Sequence, residues 1–479
     1  ATVFFTEAHN SLPYIKLIET KLIPARVSVL AKYYTYLSNI INEFPIQPKI
    51  SILVPVYKVK KSYLEECLQS VVAQVYKNWE ICIVDDCSES PELDTLIRSY
   101  VQKFPGRVKY SKNEVNSHIS ITSNNALAMA TGDYIALLDN DDRLYPNALV
   151  EVVRYINLHN SPDILYSDER HIDDIGNPFH EPFRKPAWSP FFHLCVNYTT
   201  HLSVYSKPLI SQIGGFRKGF EGSQDHDLML RAVENTKKPV VHIPFCLYQW
   251  RAHSGSTAAS VDSKPYAAIA GEKAITEALQ RRGRPAVVSF DPRTAHYRLK
   301  FKLPDSPPMV SIIIPSRNGF ELISQCLESI FAKTTYKNFE VVIVDNGSTD
   351  SKVLDLYESY KDKPVRVFIE EAYFNFAKMN NIGIRHSKGD YVVLLNNDTT
   401  VITPEWIEEL LGLAQHPEVG AVGAKLLYPN NTIQAAGIVM KGHLIAENKG
   451  ARLEDDHWLY NHVMNTIHEV SGVTGACFM

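Results

Sequence analysis

The chain repeats itself. Ser51-Ile52-Leu53-Val54-Pro55 returns as Ser311-Ile312-Ile313-Ile314-Pro315, and Tyr76-Lys77-Asn78-Trp79-Glu80 returns as Tyr336-Lys337-Asn338-Phe339-Glu340, both displaced by 260 residues. Asp85-Asp86-Cys87-Ser88 likewise matches Asp345-Asn346-Gly347-Ser348, and Gly132-Asp133-Tyr134 matches Gly389-Asp390-Tyr391 at a displacement of 257. A duplication of this length means that one domain solves the folding problem twice. The expected layout of the 479 residues is a helical segment over 1–47, a first copy over 48–305 and a second, C-terminally incomplete copy over 306–479. The stretch from about Phe290 to Pro308, with Pro292, Pro304, Pro307 and Pro308, reads as the linker between them.

Each copy alternates short continuous apolar runs with helical periodicity. Lys49 to Val56 and Ile81 to Val84 read as buried strands, and Tyr63, Leu64, Cys67, Leu68, Val71, Val72 and Val75 form a helical stripe between them. Apolar strands without polar alternation, separated by amphipathic helices, predict a mostly parallel sheet covered on both faces, the doubly wound α/β class. Ligands of such sheets bind beyond the carboxyl ends of the strands. Composition agrees, with 45% hydrophobic and 21% charged residues. The net charge of −4 gives no electrostatic reason to expect nucleic acid as a partner. The seven scattered cysteines contain no CxxC pair, which favours a reducing compartment over a disulfide framework. No apolar run approaches the ~18 residues of a membrane span, so the expected location is cytoplasmic.

Acidic residues collect where strands end. Tyr134 to Leu138 delivers Asp139-Asn140-Asp141-Asp142, three carboxylates in four residues that call for a cation, with Mg²⁺ or Mn²⁺ the usual partner of such hard oxygen ligands. An isolated acidic turn is far more often merely solvated. A second acidic strand end, Asp85-Asp86, raises the prospect of one shared crevice, since a carboxylate there can accept from a nucleobase N–H or a ribose hydroxyl. In Gln224-Asp225-His226-Asp227-Leu228, Asp225 lies near a helix start, as a cap or as a general base facing substrate. His253, in Trp250-Arg251-Ala252-His253-Ser254-Gly255-Ser256-Thr257, is either a solvated loop histidine or a metal ligand.

Taken in order, Val54-Pro55-Val56-Tyr57, Ile83-Val84-Asp85-Asp86-Cys87-Ser88, Gly132-Asp133-Tyr134 running into Leu138-Asp139-Asn140-Asp141-Asp142, and Gln224-Asp225-His226-Asp227-Leu228 with Arg231 resemble the family 2 glycosyltransferases of GT-A fold. Tyr166-Ser167-Asp168-Glu169, Phe220-Glu221-Gly222-Ser223-Gln224-Asp225 and the segment Trp250 to Thr257 make the chain most similar to bacterial two-domain enzymes of O-antigen and related cell-surface polysaccharide synthesis.

This resemblance implies an inverting, metal-dependent transfer of a sugar from a UDP-, dTDP- or GDP-sugar to a hydroxyl of a glycan or lipid-linked glycan. The protein would then visit the inner face of the cytoplasmic membrane without spanning it. By the same resemblance Pro55, Tyr57, Asp85, Asp86, Asn124, Asp139 and Arg231 hold the nucleotide-sugar, and Asp141, Asp139 and His253 bind Mn²⁺ or Mg²⁺. Asp225 is the base, and Asp227 could partly substitute for it, because Gln224 stands where many members carry Glu. In the second copy Pro315, Asp345 and Asp398 are the expected donor-binding residues. Its metal motif reads Asn396-Asn397-Asp398, and the chain stops at Met479 before a counterpart of Asp225, so a longer chain is expected to supply that base.

Two other classes compete. A nucleotidyltransferase would carry a Gly- and Lys/Arg-rich loop after its first strand, whereas Tyr57-Lys58-Val59-Lys60-Lys61 has no glycine. A non-catalytic sugar-binding scaffold is the other, with the second copy its best candidate. A processive synthase fits less well, because Gln249-Trp250-Arg251 has the letters of its QxxRW element in the wrong order.

Overall fold

The computed structural model describes residues 26–253, 265–371, 373–441, 445–455 and 463–479. Contacts divide the chain into two compact units, Ala1–Ser189 with Asn197–Ala278, and Pro190–Val196 with Leu279–Met479. Of the expected N-terminal helical segment, Arg26–Glu43 is a helix that places Leu37 in the first unit's core, and residues 1–25 lie outside the described set.

The first unit is built on an eight-stranded sheet. Its strands are β1 (Ile50–Val56), β2 (Trp79–Asp85), β3 (Val108–Lys112), β4 (Tyr134–Leu137), β5 (Arg143–Leu144), β6 (Ile164–Ile172), β7 (Ser203–Ser206) and β8 (Val240–Arg251). They lie in the order β3-β2-β1-β4-β7-β6-β8-β5. β1 pairs in parallel with β2 on one side and β4 on the other, while β7 runs antiparallel to both β4 and β6. Every residue of β2, and every residue of β1 except Pro55, is buried, because helices cover both faces. One face packs Leu64, Cys67, Leu68 and Val71 of the helix Lys61–Val72, with Tyr63 also buried, which are five of the seven stripe positions read from the sequence. The other face packs Ala126, Leu209, Ile210, Phe216, Leu228 and Met229.

In the second unit, β11 (Val310–Ser316), β12 (Phe339–Asp345), β13 (Val365–Ile369) and β14 (Tyr391–Leu395) repeat the parallel core, and Cys477–Phe478 pairs antiparallel with β14 as β7 does with β4. The duplication extends to single hydrogen bonds. Ser51 Oγ donates to the buried Glu80 at 2.6 Å and accepts from the Gly132 amide at 2.8 Å, and Ser311 does the same with Glu340 at 2.7 Å and Gly389 at 2.8 Å. A Cβ on Gly132 would lie 2.5 Å from the Lys49 carbonyl oxygen, and one on Gly389 2.6 Å from the Ser311 nitrogen. The following aspartates accept from the chain entering the first strand, Asp133 from Lys49 N at 2.8 Å and Asp390 from Met309 N at 3.1 Å. The Gly-Asp-Tyr repeat is therefore a backbone crossing that leaves no room for a side chain.

The expected linker is folded instead. Residues Ala286–Asp291 (β9) and His296–Phe301 (β10) form an antiparallel hairpin, with Pro292 in its connection and Pro304, Pro307 and Pro308 after it. Prolines outside the strands leave the ladder intact. This hairpin clusters with the second unit, so the units divide at Ala278/Leu279, ahead of the expected 305/306 boundary.

Candidate active site

β1 is the point from which the first sheet is wound in both directions, and its carboxyl end opens the crevice where a parallel sheet binds ligands. The acidic loop after β4 sits there, held by three anchors. Asn140 Nδ2 donates to the Pro55 carbonyl at 2.6 Å. Asp142 is buried and accepts from Tyr248 Oη at 2.7 Å and the Arg251 amide at 2.6 Å. Burial pushes its carboxyl well above the usual range, with the charges of Asp141 and Asp139 adding to the effect. The Arg251 side chain is fully buried and donates to the Asp141 carbonyl at 2.8 Å, to Glu66 at 2.6 Å and to the Asp173 and Asp174 carbonyls at 3.2 and 3.0 Å. Asp142 is therefore a bracket, while the Asp139 and Asp141 side chains stay 48% and 23% exposed.

Two histidines meet those carboxylates. His253 Nε2 lies 2.8 Å from Asp141 Oδ2, although the residues are 112 apart in sequence. His201 bridges Asp139 (Nε2 to Oδ2, 3.5 Å) and Glu169 (Nδ1 to Oε2, 3.3 Å), and Glu169 is paired with the buried Lys185 at 3.0 Å. Burial alone would lower the His201 pKa, but the Asp139 and Glu169 carboxylates outweigh it and raise the imidazole to about 10. One oxygen each of Asp139 and Asp142 and one His201 nitrogen lie within 4.8 Å of one another. Asp142 of that group is already bonded twice, and of the expected ligands Asp139, Asp141 and His253 the closest approach given is the 2.8 Å between Asp141 and His253.

On the nucleoside side, Asp85 accepts from the Ser88 amide at 3.1 Å and stands 3.7 Å from Lys112. Asp86 accepts from Asn113 Nδ2 at 2.8 Å and the Ser117 amide at 2.7 Å. Tyr57 is exposed, just past the end of β1. Asn124 and Arg231, expected on the donor, are bonded to the protein's own chain in this structure. Both ends of the Asn124 amide bond the backbone of Phe216, at 2.7 and 2.8 Å. Arg231 is buried against Asp227 at 2.9 Å and the carbonyls of Ile213 and Gly215 at 2.8 and 2.7 Å. Both residues fasten the loop that precedes the Asp225 helix.

Asp225 is the second residue of the helix Gln224–Asn235. Its Oδ1 accepts from the His226 amide at 3.0 Å and its Oδ2 from Asn197 Nδ2 at 3.0 Å. Burial raises its pKa, Asp139 adds to the rise, and His201 opposes it, so Asp225 belongs electrostatically to the same site. Asp227 cannot stand in for it, because its carboxylate is fully buried between Arg217 and Arg231. Gln224 accepts from the Gly222 amide at 2.8 Å, a helix-entry contact that needs no charge.

Comparison with known proteins decides the family. Residues 51–213 and 311–472, over half of the chain, match the family model of glycosyl transferase family 2. The chain belongs to glycosyl transferase family 2. It is 40% identical over 447 residues to an uncharacterized protein of Sinorhizobium fredii, covering 92% of this chain and 49% of that one. It is 36% identical to the O-antigen biosynthesis protein RfbC of Myxococcus xanthus, covering 87% of this chain and 32% of that protein. The chain thus spans about half or less of the length of these curated relatives. Among solved structures, TarS of S. aureus in complex with UDP is 22% identical over 49% of this chain and 71% of that one, at a TM-score of 0.37, too distant to inform the site.

In the second copy of this family 2 domain, Asp345 accepts from the Ser348 amide and hydroxyl, both at 2.6 Å, and from Tyr357 Oη at 2.8 Å. Pro315 is buried in β11, Asn397 donates to Ser316 Oγ at 3.1 Å where Asn140 met the Pro55 carbonyl, and Asp398 is exposed. Sequence reading missed His201, Lys185, Asn197 and the bracing role of Arg251. The available signal was strand direction: β7 is antiparallel to β4, so residues entering β7 lie beside those leaving β4.

Proposed function

We propose that the chain is an inverting, metal-dependent glycosyltransferase that moves a sugar from a nucleoside-diphosphate donor to a hydroxyl of a growing glycan. The observation that carries this reading is the 2.8 Å meeting of His253 with Asp141, on the acidic loop whose Asp139 acts electrostatically on Asp225. Asp139, Asp141 and His253 would hold Mn²⁺ or Mg²⁺, which when bound neutralises the charge developing on a diphosphate leaving group.

The chain's own residues do the rest. Pro55, Tyr57, Asp85 and Asp86 line the nucleoside end, where the two carboxylates can accept N–H or hydroxyl groups of a UDP-, dTDP- or GDP-sugar. Asp225 takes the proton of the acceptor hydroxyl as its oxygen attacks the anomeric carbon opposite the leaving nucleotide, which inverts that centre. Family membership in both copies, and the O-antigen name of a relative, favour cell-surface polysaccharide synthesis over a non-catalytic scaffold or a nucleotidyltransferase. With a lipid-linked acceptor the protein would work at the inner face of the cytoplasmic membrane, and no described helix is long and apolar enough to cross it. Pro315, Asp345 and Asp398 of the second copy form a further donor-binding site.

The test is sugar transfer by Asp225→Asn. General-base assistance is worth ~10²–10⁴-fold, so turnover should fall by at least ~10²-fold while donor affinity holds. An unchanged rate would refute this assignment.

A further inference from the structure

A carboxylate that acts as a base must aim one lone pair at the incoming hydroxyl, and the structure shows what fixes that aim. Asp225 Oδ1 is held by its own helix through the His226 amide, and Oδ2 is held from outside the helix by Asn197 Nδ2. An amide side chain taken alone can face either way round. Here Thr199 Oγ1 donates to Asn197 Oδ1 at 3.1 Å, which commits the amide oxygen to Thr199 and the nitrogen to the carboxylate. Thr199 is buried in turn, and its carbonyl accepts from Ser203 Oγ at 3.0 Å, anchoring the relay on the first residue of β7.

We propose that Asn197, oriented by Thr199, is the positioning residue of Asp225. It fixes the carboxylate plane through a neutral donor at Oδ2, opposite the backbone amides at the helix start, and leaves a lone pair for the acceptor hydroxyl. Neutrality matters because the groups bearing on Asp225 are already finely opposed. Burial and Asp139 raise its proton affinity, and His201 lowers it. A second carboxylate in the place of Asn197 would share Asp225's proton, as close carboxylate pairs do. The proposal rests on Asp225 being the base, and its test separates the two ideas.

The full chain would be compared with Asn197→Ala, Asn197→Asp, Thr199→Val and Asp225→Asn. The reading is nucleoside diphosphate released from UDP-, dTDP- and GDP-sugars with Mn²⁺, as a function of pH. Asn197→Ala should lower kcat by roughly 10–100-fold with donor KM within about twofold, and Thr199→Val should lose less. Asn197→Asp, nearly isosteric and therefore able to fold if the alanine variant does not, should move the acidic limb of the kcat–pH profile up by about one unit or more. A role confined to stability would leave that limb in place. If Asp225→Asn keeps wild-type turnover, the base assignment fails whatever Asn197 does. If Asp225→Asn is inactive while Asn197→Asp keeps both the wild-type kcat and the wild-type acidic limb, the positioning role is refuted.

Discussion

Arg251 ties more of the site together than any residue singled out by sequence for chemistry. Its buried side chain bonds Glu66 and the carbonyls of Asp141, Asp173 and Asp174, and its amide bonds Asp142. His253 follows two residues later. Arg251→Met keeps much of the volume but strands three carbonyls and one carboxylate. Unmet buried acceptors cost about 1–3 kcal/mol each. Glu66 is one-third exposed and can turn to water, so the total is set near ~3–5 kcal/mol, the range for breaking a buried ion pair. At roughly 2–4 °C per kcal/mol for a domain of this size, the melting transition of the first unit should fall by about 10 °C. The acidic loop and His253 would also lose their common anchor, so Mn²⁺ affinity, read by calorimetry at a temperature where the variant is folded, should drop by roughly 10–100-fold. Arg251→Lys should recover part of the stability through Glu66, but little of the metal affinity, because one ammonium cannot replace the guanidinium fork. A folded Arg251→Met protein that binds Mn²⁺ as tightly as wild type would refute this account of the loop.

Glu80 is fully buried between Lys49 and Lys109; burial opposes its charge, but hydrogen bonds from Lys49, Ser51, Thr131 and Lys109 hold its carboxyl far below the usual carboxylate range. A depressed carboxylate stabilises the fold above its unfolded pKa and loses that contribution as pH falls, so the stability gap between wild type and Glu80→Gln in urea should be widest near pH 7 and narrow steadily below about pH 4.5. Gly132→Ala drives a methyl group against the Lys49 carbonyl and should cost ~1–3 kcal/mol in the same unfolding assay; wild-type stability would show that this crossing can open.

The parallel core was legible because β1, β2 and β4 are mostly apolar runs, and the duplication made its layout readable twice. The positions of Asp85, Asp139 and Asp141 at or just past strand ends were legible because the apolar runs stop there. For Asn124 and Arg231 the sequence could not show that they also staple a loop, because a polar residue on a helix looks the same in either role, and only their partners at Phe216 and at Ile213, Gly215 and Asp227 reveal it. His201 and Asn197 carry no local pattern. They reach the site because β7 reverses direction and brings the chain entering it beside the end of β4, and that pairing is set by the whole sheet. The hairpin over 286–301 was missed because its flanking prolines masked the alternation of His296–Phe301.

The most direct measurement is donor binding by the intact chain, titrated with UDP-, dTDP- and GDP-sugars in the presence and absence of Mn²⁺ and repeated on Asp141→Ala. The account predicts that one donor class binds the wild-type chain tightly only with the ion, and that Asp141→Ala loses this ion dependence while staying folded. Equal, ion-dependent affinity in both proteins would contradict it.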